Sequence, residues 1–150
     1  MIFIDYYESP IGTIELTANT NGLTGLYFSE ERQNTNINSL LQQTKKQLSE
    51  YFLGKRKDFS IELNTDGTCF QQQVWKNLRQ VKYGKTISYQ TLANTINRPK
   101  AVRAVGAANG KNPISIIIPC HRVIGSNGKL TGYAGGLERK EWLLNHEKAI

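Results

Sequence analysis

In this chain of 150 residues, the run Pro119-Cys120-His121-Arg122 puts a thiol, an imidazole and a guanidinium side by side. A thiol is a strong nucleophile as thiolate, and a neighbouring histidine or arginine is expected to lower its free pKa of roughly 8.5. A histidine acting as base needs an orienting partner, and Glu147, directly after His146, is a candidate carboxylate. The second cysteine, Cys69, falls on a helix without a charged neighbour and reads as a buried, inert thiol. A zinc site built from Cys69, Cys120, His121 and His146 lacks CxxC or HxxxH spacing, so no metal is expected.

Elements must hold these residues in place. Ile114-Ser115-Ile116-Ile117-Ile118 is an apolar, β-branched run that reads as a buried strand ending just before Cys120. Adjacent side chains of an extended segment point to opposite faces, so Cys120 and His121 should not bond directly without a bend or a water. Beyond them, Val123-Ile124, the turn Gly125-Ser126-Asn127-Gly128 and Leu130-Thr131 suggest a small hairpin. Gly132-Tyr133-Ala134-Gly135-Gly136 reads as a flexible loop, and residues 137–146 as a final helix.

Upstream, Thr68 and Gln71 form a plausible capping box. Phe70, Val74, Trp75, Leu78 and Val81 follow on one helical face, ended by Tyr83-Gly84. Ser88 can cap a short helix carrying Leu92, Ala93 and Ile96, interrupted by Asn97-Arg98-Pro99. Another short helix runs from Lys100 to about Ala108, and the pair matches a helix-turn-helix. Small residues surround Arg103 in this second helix. Either the helix approaches a partner closely with Arg103 reaching into a groove, or it packs on the core with Arg103 at the rim.

The first part of the chain carries no such chemistry. Ile14, Leu16 and Ala18 alternate, Asn21-Gly22 offers a hairpin turn into residues 23–29, and Phe59, Ile61 and Leu63 alternate as a further strand. Leu40, Leu41, Thr44, Leu48, Tyr51 and Phe52 recur at helical spacing before Gly54. Charge divides the same way. Residues 1–65 hold six Lys/Arg against eight Asp/Glu, a net −2, whereas residues 66–150 hold thirteen against four, a net +9. A polyanion-binding face is therefore sought in the second part, although charge does not separate DNA from RNA or a membrane surface. No transmembrane run or signal peptide is visible at the start, which argues for a cytoplasmic protein and no membrane partner.

The residues also carry a resemblance. Ile118-Pro119-Cys120-His121-Arg122-Val123 resembles the active-site signature of the O6-alkylguanine-DNA alkyltransferases. The likeness begins at Phe70-Gln71-Gln72-Gln73-Val74-Trp75 and passes through Tyr83-Gly84, Ser88-Tyr89-Gln90 and Leu92-Ala93. It continues in Arg103-Ala104-Val105-Gly106, Asn112-Pro113, Gly132-Tyr133-Ala134-Gly135-Gly136 and Lys140-Glu141-Trp142-Leu143-Leu144, covering nearly all of residues 68–147. It implies an α/β (α+β) protein: a ribonuclease-H-like α/β domain over 1–65 as structural support, then a mostly helical winged helix-turn-helix domain over 66–150. The zinc ligands found in the first domain of some family members have no counterpart in residues 1–65.

What the resemblance implies for function is direct reversal of DNA damage. O6-alkylguanine is flipped out of double-stranded DNA, and Cys120 takes the alkyl group once, irreversibly. No cofactor is needed, since the DNA is the donor, and no obligate protein partner is implied. Arg103 would fill the vacated place in the stack, with Ala104, Ala107 and Ala108 allowing close approach in the minor groove. His121 would remove the thiol proton through a water, oriented by Glu147, while Asn112 steadies the local backbone. Tyr89 would face the base's ring nitrogen and the Ala134 N–H its O6, and Tyr133, Gly135 and Lys140 would complete the pocket. Rival readings are a damage-binding module without transfer, a Cys–His hydrolase, and a winged-helix regulator.

Overall fold

The computed structural model describes residues 1–150, which divide into two compact units, Met1–Asp66 and Gly67–Ile150. In the first, strands β1 (Phe3–Ser9), β2 (Gly12–Asn19) and β3 (Gly22–Phe28) form an antiparallel meander in the order β1-β2-β3. The alternation of Ile14, Leu16 and Ala18 puts all three in the core. Asn19 closes the turn between β2 and β3 by accepting from the Asn21 and Gly22 amides at 2.8 and 3.1 Å. Only glycine fits at 22, because a Cβ there would lie 2.9 Å from the Glu62 carbonyl.

Helix α1 (Ser39–Phe52) begins where Asn38 Oδ1 accepts from the Leu41 amide at 2.9 Å, and it buries Leu41, Leu48 and Tyr51. Two features depart from the sequence reading. β1 is a strand that the sequence reading does not include. The strand expected around Phe59, Ile61 and Leu63 shrinks to one bridge between Leu23 and Leu63. A side chain competes for that backbone, since the Ser60 amide donates to Gln47 Oε1 at 2.9 Å.

In the second unit, α2 (Cys69–Leu78) starts at a complete capping box between Thr68 and Gln71. It ends at Leu78, short of Tyr83-Gly84, and a turn follows, closed by the Val81 amide on the Leu78 carbonyl. After the two-residue strand β4 (Ile87–Ser88), Ser88 caps α3 (Tyr89–Thr95) through the Thr91 amide at 3.0 Å. Helix α4 (Val102–Gly110) follows, and α5 (Leu137–His146) closes the unit. Val74, Trp75, Leu78, Leu92, Val105, Ile114, Leu143 and Leu144 form its core. No helix is long and apolar enough to cross a membrane.

The segment before Cys120 is not the strand its composition suggests. Ile114, Ile116, Ile117 and Ile118 are buried, but the backbone folds back on itself, with the Ile118 amide on the Ile114 carbonyl at 3.1 Å. Asn112 clamps both ends of this turn. Its Oδ1 accepts from the Ile114 amide at 3.0 Å, and its Nδ2 donates to the Ile118 carbonyl at 2.8 Å. Ile116 sits at φ 72°, a region that β-branched residues avoid unless packing imposes it.

The hairpin expected after Arg122 is also absent. Strand β5 (Val123–Ile124) pairs in parallel with β4 rather than with Leu130-Thr131. The turn at Gly125–Gly128 does form, but the Thr131 carbonyl is occupied by side chains instead of a strand partner.

Candidate active site

Residues 120–122 form a single 3-10 turn between the Asn112-clamped loop and β5. That turn, rather than a strand end, presents Cys120, and both Cys120 and His121 are buried. Burial pushes the Cys120 thiol up to about 11, against the pull of the Asn112 amide and the Lys140 ammonium. This reverses the sequence expectation of a thiol acidified by its neighbours. His121 and Arg122 both turn to Glu147 instead, so Cys120 rests as a thiol and needs a base.

A candidate base follows it in the chain. Glu147, immediately after α5, puts Oε2 at 2.7 Å from His121 Nε2. Arg122 donates from Nε to Glu147 Oε1 at 2.8 Å and from Nη2 to Oε2 at 3.0 Å. Burial alone would raise the Glu147 pKa, but the His121 hydrogen bond and then Arg122 hold the carboxyl well below its usual range. An ionised Glu147 accepts, so Nε2 carries the proton and Nδ1 keeps its lone pair. Nδ1 is buried and has no hydrogen-bond partner. Burial also lowers the His121 pKa, outweighing the Glu147 contribution, and Arg122 and Lys140 lower it further. The result is a neutral imidazole with one free acceptor, next in sequence to the thiol.

The remaining expected pocket residues divide into two groups. Tyr89, first in α3, donates its hydroxyl to the Thr131 carbonyl at 3.2 Å, and a Cβ added at Gly106 of α4 would lie 3.9 Å from its ring. Tyr133 lies in the loop before α5 with its hydroxyl buried and unpartnered. Burial raises its pKa well above 10, opposed by the nearby Ser115 hydroxyl. Ala134 is exposed and Gly135 half-buried, with the Gly135 carbonyl accepting from Arg139. Lys140, expected in the pocket, shares the Thr131 carbonyl with Tyr89. It is 0% exposed and lines no open surface, because its ammonium donates to the Val123 and Thr131 carbonyls, each at 2.6 Å. It pins the loop to β5 from beneath.

Helix α4 exposes Arg103, Ala104 and Ala107 on one side and buries Val105, Ala108 and Asn109 on the other. The position of Ala108 differs from the expected groove-facing one. Its carbonyl accepts from Trp75 Nε1 at 2.9 Å, which turns this residue into the core. The helix thus packs on the core by one face and leaves the face with Arg103 open. The candidate zinc ligands are not gathered, and Cys69, expected to be buried, is exposed at the start of α2. Two residues escaped the sequence reading of the site. In the sequence Arg122 is only a neighbour of the thiol. Asn109 donates from Nδ2 to the Cys120 carbonyl at 3.5 Å, and nothing in its sequence surroundings signals that contact.

A buried thiol, a neutral imidazole with an open nitrogen and an exposed small-residue helix bearing one arginine, in a basic unit, define a class: a thiol-based group-transfer protein that meets a polyanion. Comparison with known proteins makes the class particular. Residues 2–65 match the ribonuclease-like domain of 6-O-methylguanine DNA methyltransferase, and residues 69–149 match its DNA-binding domain. The chain is 47% identical to the methylated-DNA–protein-cysteine methyltransferase of Methanosarcina barkeri, over 98% of each chain. It superposes on the crystal structure of Mycobacterium tuberculosis O6-methylguanine methyltransferase with a TM-score of 0.91 at 45% identity, covering 99% of this chain and 94% of that one. The Mycobacterium tuberculosis protein in complex with DNA gives 0.89 at 47% identity, covering 96% and 91%. The chain belongs to the methylated-DNA–protein-cysteine methyltransferase family.

Proposed function

We propose that this protein repairs O6-alkylguanine in duplex DNA by moving the alkyl group to Cys120, once per molecule. The carrying observation is the His121 ring, held at Nε2 by an ionised Glu147 and left with a free, buried Nδ1. Nδ1 takes the thiol proton through a water, and the sulfur attacks the alkyl carbon in line with the bond to O6. A carbon–sulfur bond forms as the carbon–oxygen bond breaks, and its electron pair leaves with the guanine. Donors aimed at that leaving group stabilise the developing charge. Tyr89 turns from the Thr131 carbonyl to the ring nitrogen, and the Ala134 N–H meets O6, with Tyr133 and Gly135 in the pocket wall. Asn112 keeps the thiol's loop in shape.

Access to the base requires extrusion, since the reacting carbon is shielded inside stacked duplex. Arg103 enters the stack in its place, while Ala104 and Ala107 let the backbone of α4 approach the minor groove. A free thiol working on DNA fits a reducing compartment, and we place the activity in the cytoplasm.

The test is stoichiometry. Product per mole of protein is expected to plateau near about one, because a thioether is not reversed under ordinary aqueous conditions. Sustained turnover would support the Cys–His hydrolase reading, and DNA binding without transfer would support the damage-binding one.

A further inference from the structure

Arg122 is the most fully engaged side chain of the site. It is 6% exposed, and every nitrogen of its guanidinium has an acceptor. Nη1 donates to the Val81 carbonyl at 2.7 Å, beyond the end of α2, while Nε and Nη2 take the two oxygens of Glu147. The cation also lies 5.8 Å from the centroid of the Tyr83 ring. Gly84, in the same connection, points its amide at Glu147 Oε1 from 3.4 Å. Arg122 therefore ties the α2–β4 connection to the end of α5 through the carboxylate that touches the base. A planar fork suits this bidentate task, which a single ammonium cannot reproduce.

We propose that Arg122 is a positioning residue for the transfer: its fork holds Glu147 ionised and turned to His121, so that His121 stays neutral and free to take the thiol proton. This rests on the reading of His121 as base and Cys120 as acceptor.

Charge balance carries the inference. Arg122, Glu147 and a neutral His121 sum to zero in a buried site. Without the arginine, Glu147 and His121 carry −1 there, and burial disfavours an uncompensated charge. The pair then takes up a proton at higher pH, on His121 or on Glu147, and either location removes the neutral, oriented base. The other titratable groups around the pair are Cys120, Lys140 of α5, Tyr83 and Tyr133. Of these Lys140 also lowers the His121 pKa, in the same direction as Arg122. Lys140 remains in the variant, donating to the Val123 and Thr131 carbonyls, whereas the groups that hold the Glu147 pKa low are His121 and Arg122.

The test compares the pH dependence of single-turnover reaction with free O6-benzylguanine for wild type, Arg122→Met and Arg122→Lys, with the alkylated peptide identified by mass. In Arg122→Met the acid limb is expected to move up by at least about one pH unit, a tenfold loss on the limb, with recovery at high pH. Arg122→Lys keeps the charge and is expected to leave the limb near wild type at a lower plateau. If Arg122→Met does not fold, Arg122→Lys decides through its plateau and the pH at which the His121 ring titrates by NMR. A rate lowered equally at every pH in Arg122→Met, or an Arg122→Lys identical to wild type in plateau, would overturn the role of Arg122 while label on Cys120 left the underlying reading intact. Label elsewhere would overturn both.

Discussion

Tyr89 and Lys140 meet at one acceptor: the Thr131 carbonyl takes the Tyr89 hydroxyl at 3.2 Å and the Lys140 ammonium at 2.6 Å. Lys140 also holds the Val123 carbonyl, so one buried cation joins α5, β5 and the loop carrying Tyr133 and Ala134. Lys140→Met is expected to lower stability by about 1–3 kcal/mol, because the buried Val123 carbonyl loses the Lys140 donor. The transfer rate should fall with it, as the loop loosens over Cys120. Urea denaturation and single-turnover rates check this, and an unchanged midpoint with an unchanged rate would contradict it.

The two cysteines should separate by reagent. Cys69 is exposed, while Cys120 is buried with its pKa pushed up to about 11. A general alkylating reagent such as iodoacetamide is therefore expected to modify Cys69 first at neutral pH, whereas O6-benzylguanine labels Cys120. Cys69→Ala should transfer normally. Faster iodoacetamide labelling of Cys120 than of Cys69 would mean that the thiol is more open and more acidic than the structure has it.

How far the sequence foretells this site depends on the range of each interaction. The Thr68–Gln71 capping box, the Ser88 cap and the span of α5 are local, and each is readable from a few adjacent residues. The run from Ile114 to Ile118 is read correctly as buried but wrongly as a strand. Its shape depends on Asn112 clamping both ends, which an apolar run does not reveal. β5 is assigned the wrong partner because Ile87 is 36 residues away from Val123. Arg122 and Glu147 are 25 residues apart, and their fork is a product of folding. The family resemblance, by contrast, rests on residue identities, which is why it pairs His121 with Glu147, two residues that the local reading named without joining.

Acid should weaken both the fold and the reaction. The folded His121 pKa lies below its ordinary 6.5, so below that pH the unfolded chain binds a proton that the native site refuses. Stability contributed by His121 is full above 6.5 and is lost as pH falls through this window. Glu147, held below its ordinary 4.5, has the same sign and adds a second loss further down. Denaturation midpoints between pH 8 and pH 4 should fall in that order, and the acid limb of transfer should have its midpoint below 6.5. A limb centred above 6.5 would mean that His121 is charged at rest.

Arg103→Ala should distinguish extrusion from chemistry. Arg103 is exposed on α4, and it has no part in the His121–Glu147–Arg122 network. Its loss is expected to slow repair of duplex O6-methylguanine severely and to leave reaction with free O6-benzylguanine nearly unchanged. Tyr89→Phe should slow both, since a lost donor to a leaving group typically costs about 3–4 kcal/mol of barrier. Equal loss on both substrates for Arg103→Ala would assign that side chain to the pocket or the fold.

The central claim is that one sulfur accepts the alkyl group, and locating the label tests it most directly. The protein is incubated with duplex DNA carrying isotopically labelled O6-methylguanine, digested, and mapped by peptide mass. The expected result is a single methyl group on Cys120, at no more than about one per protein, with Cys69 unmodified and Cys120→Ala binding DNA but unlabelled. Label on Cys69, or full repair by Cys120→Ala, would contradict it.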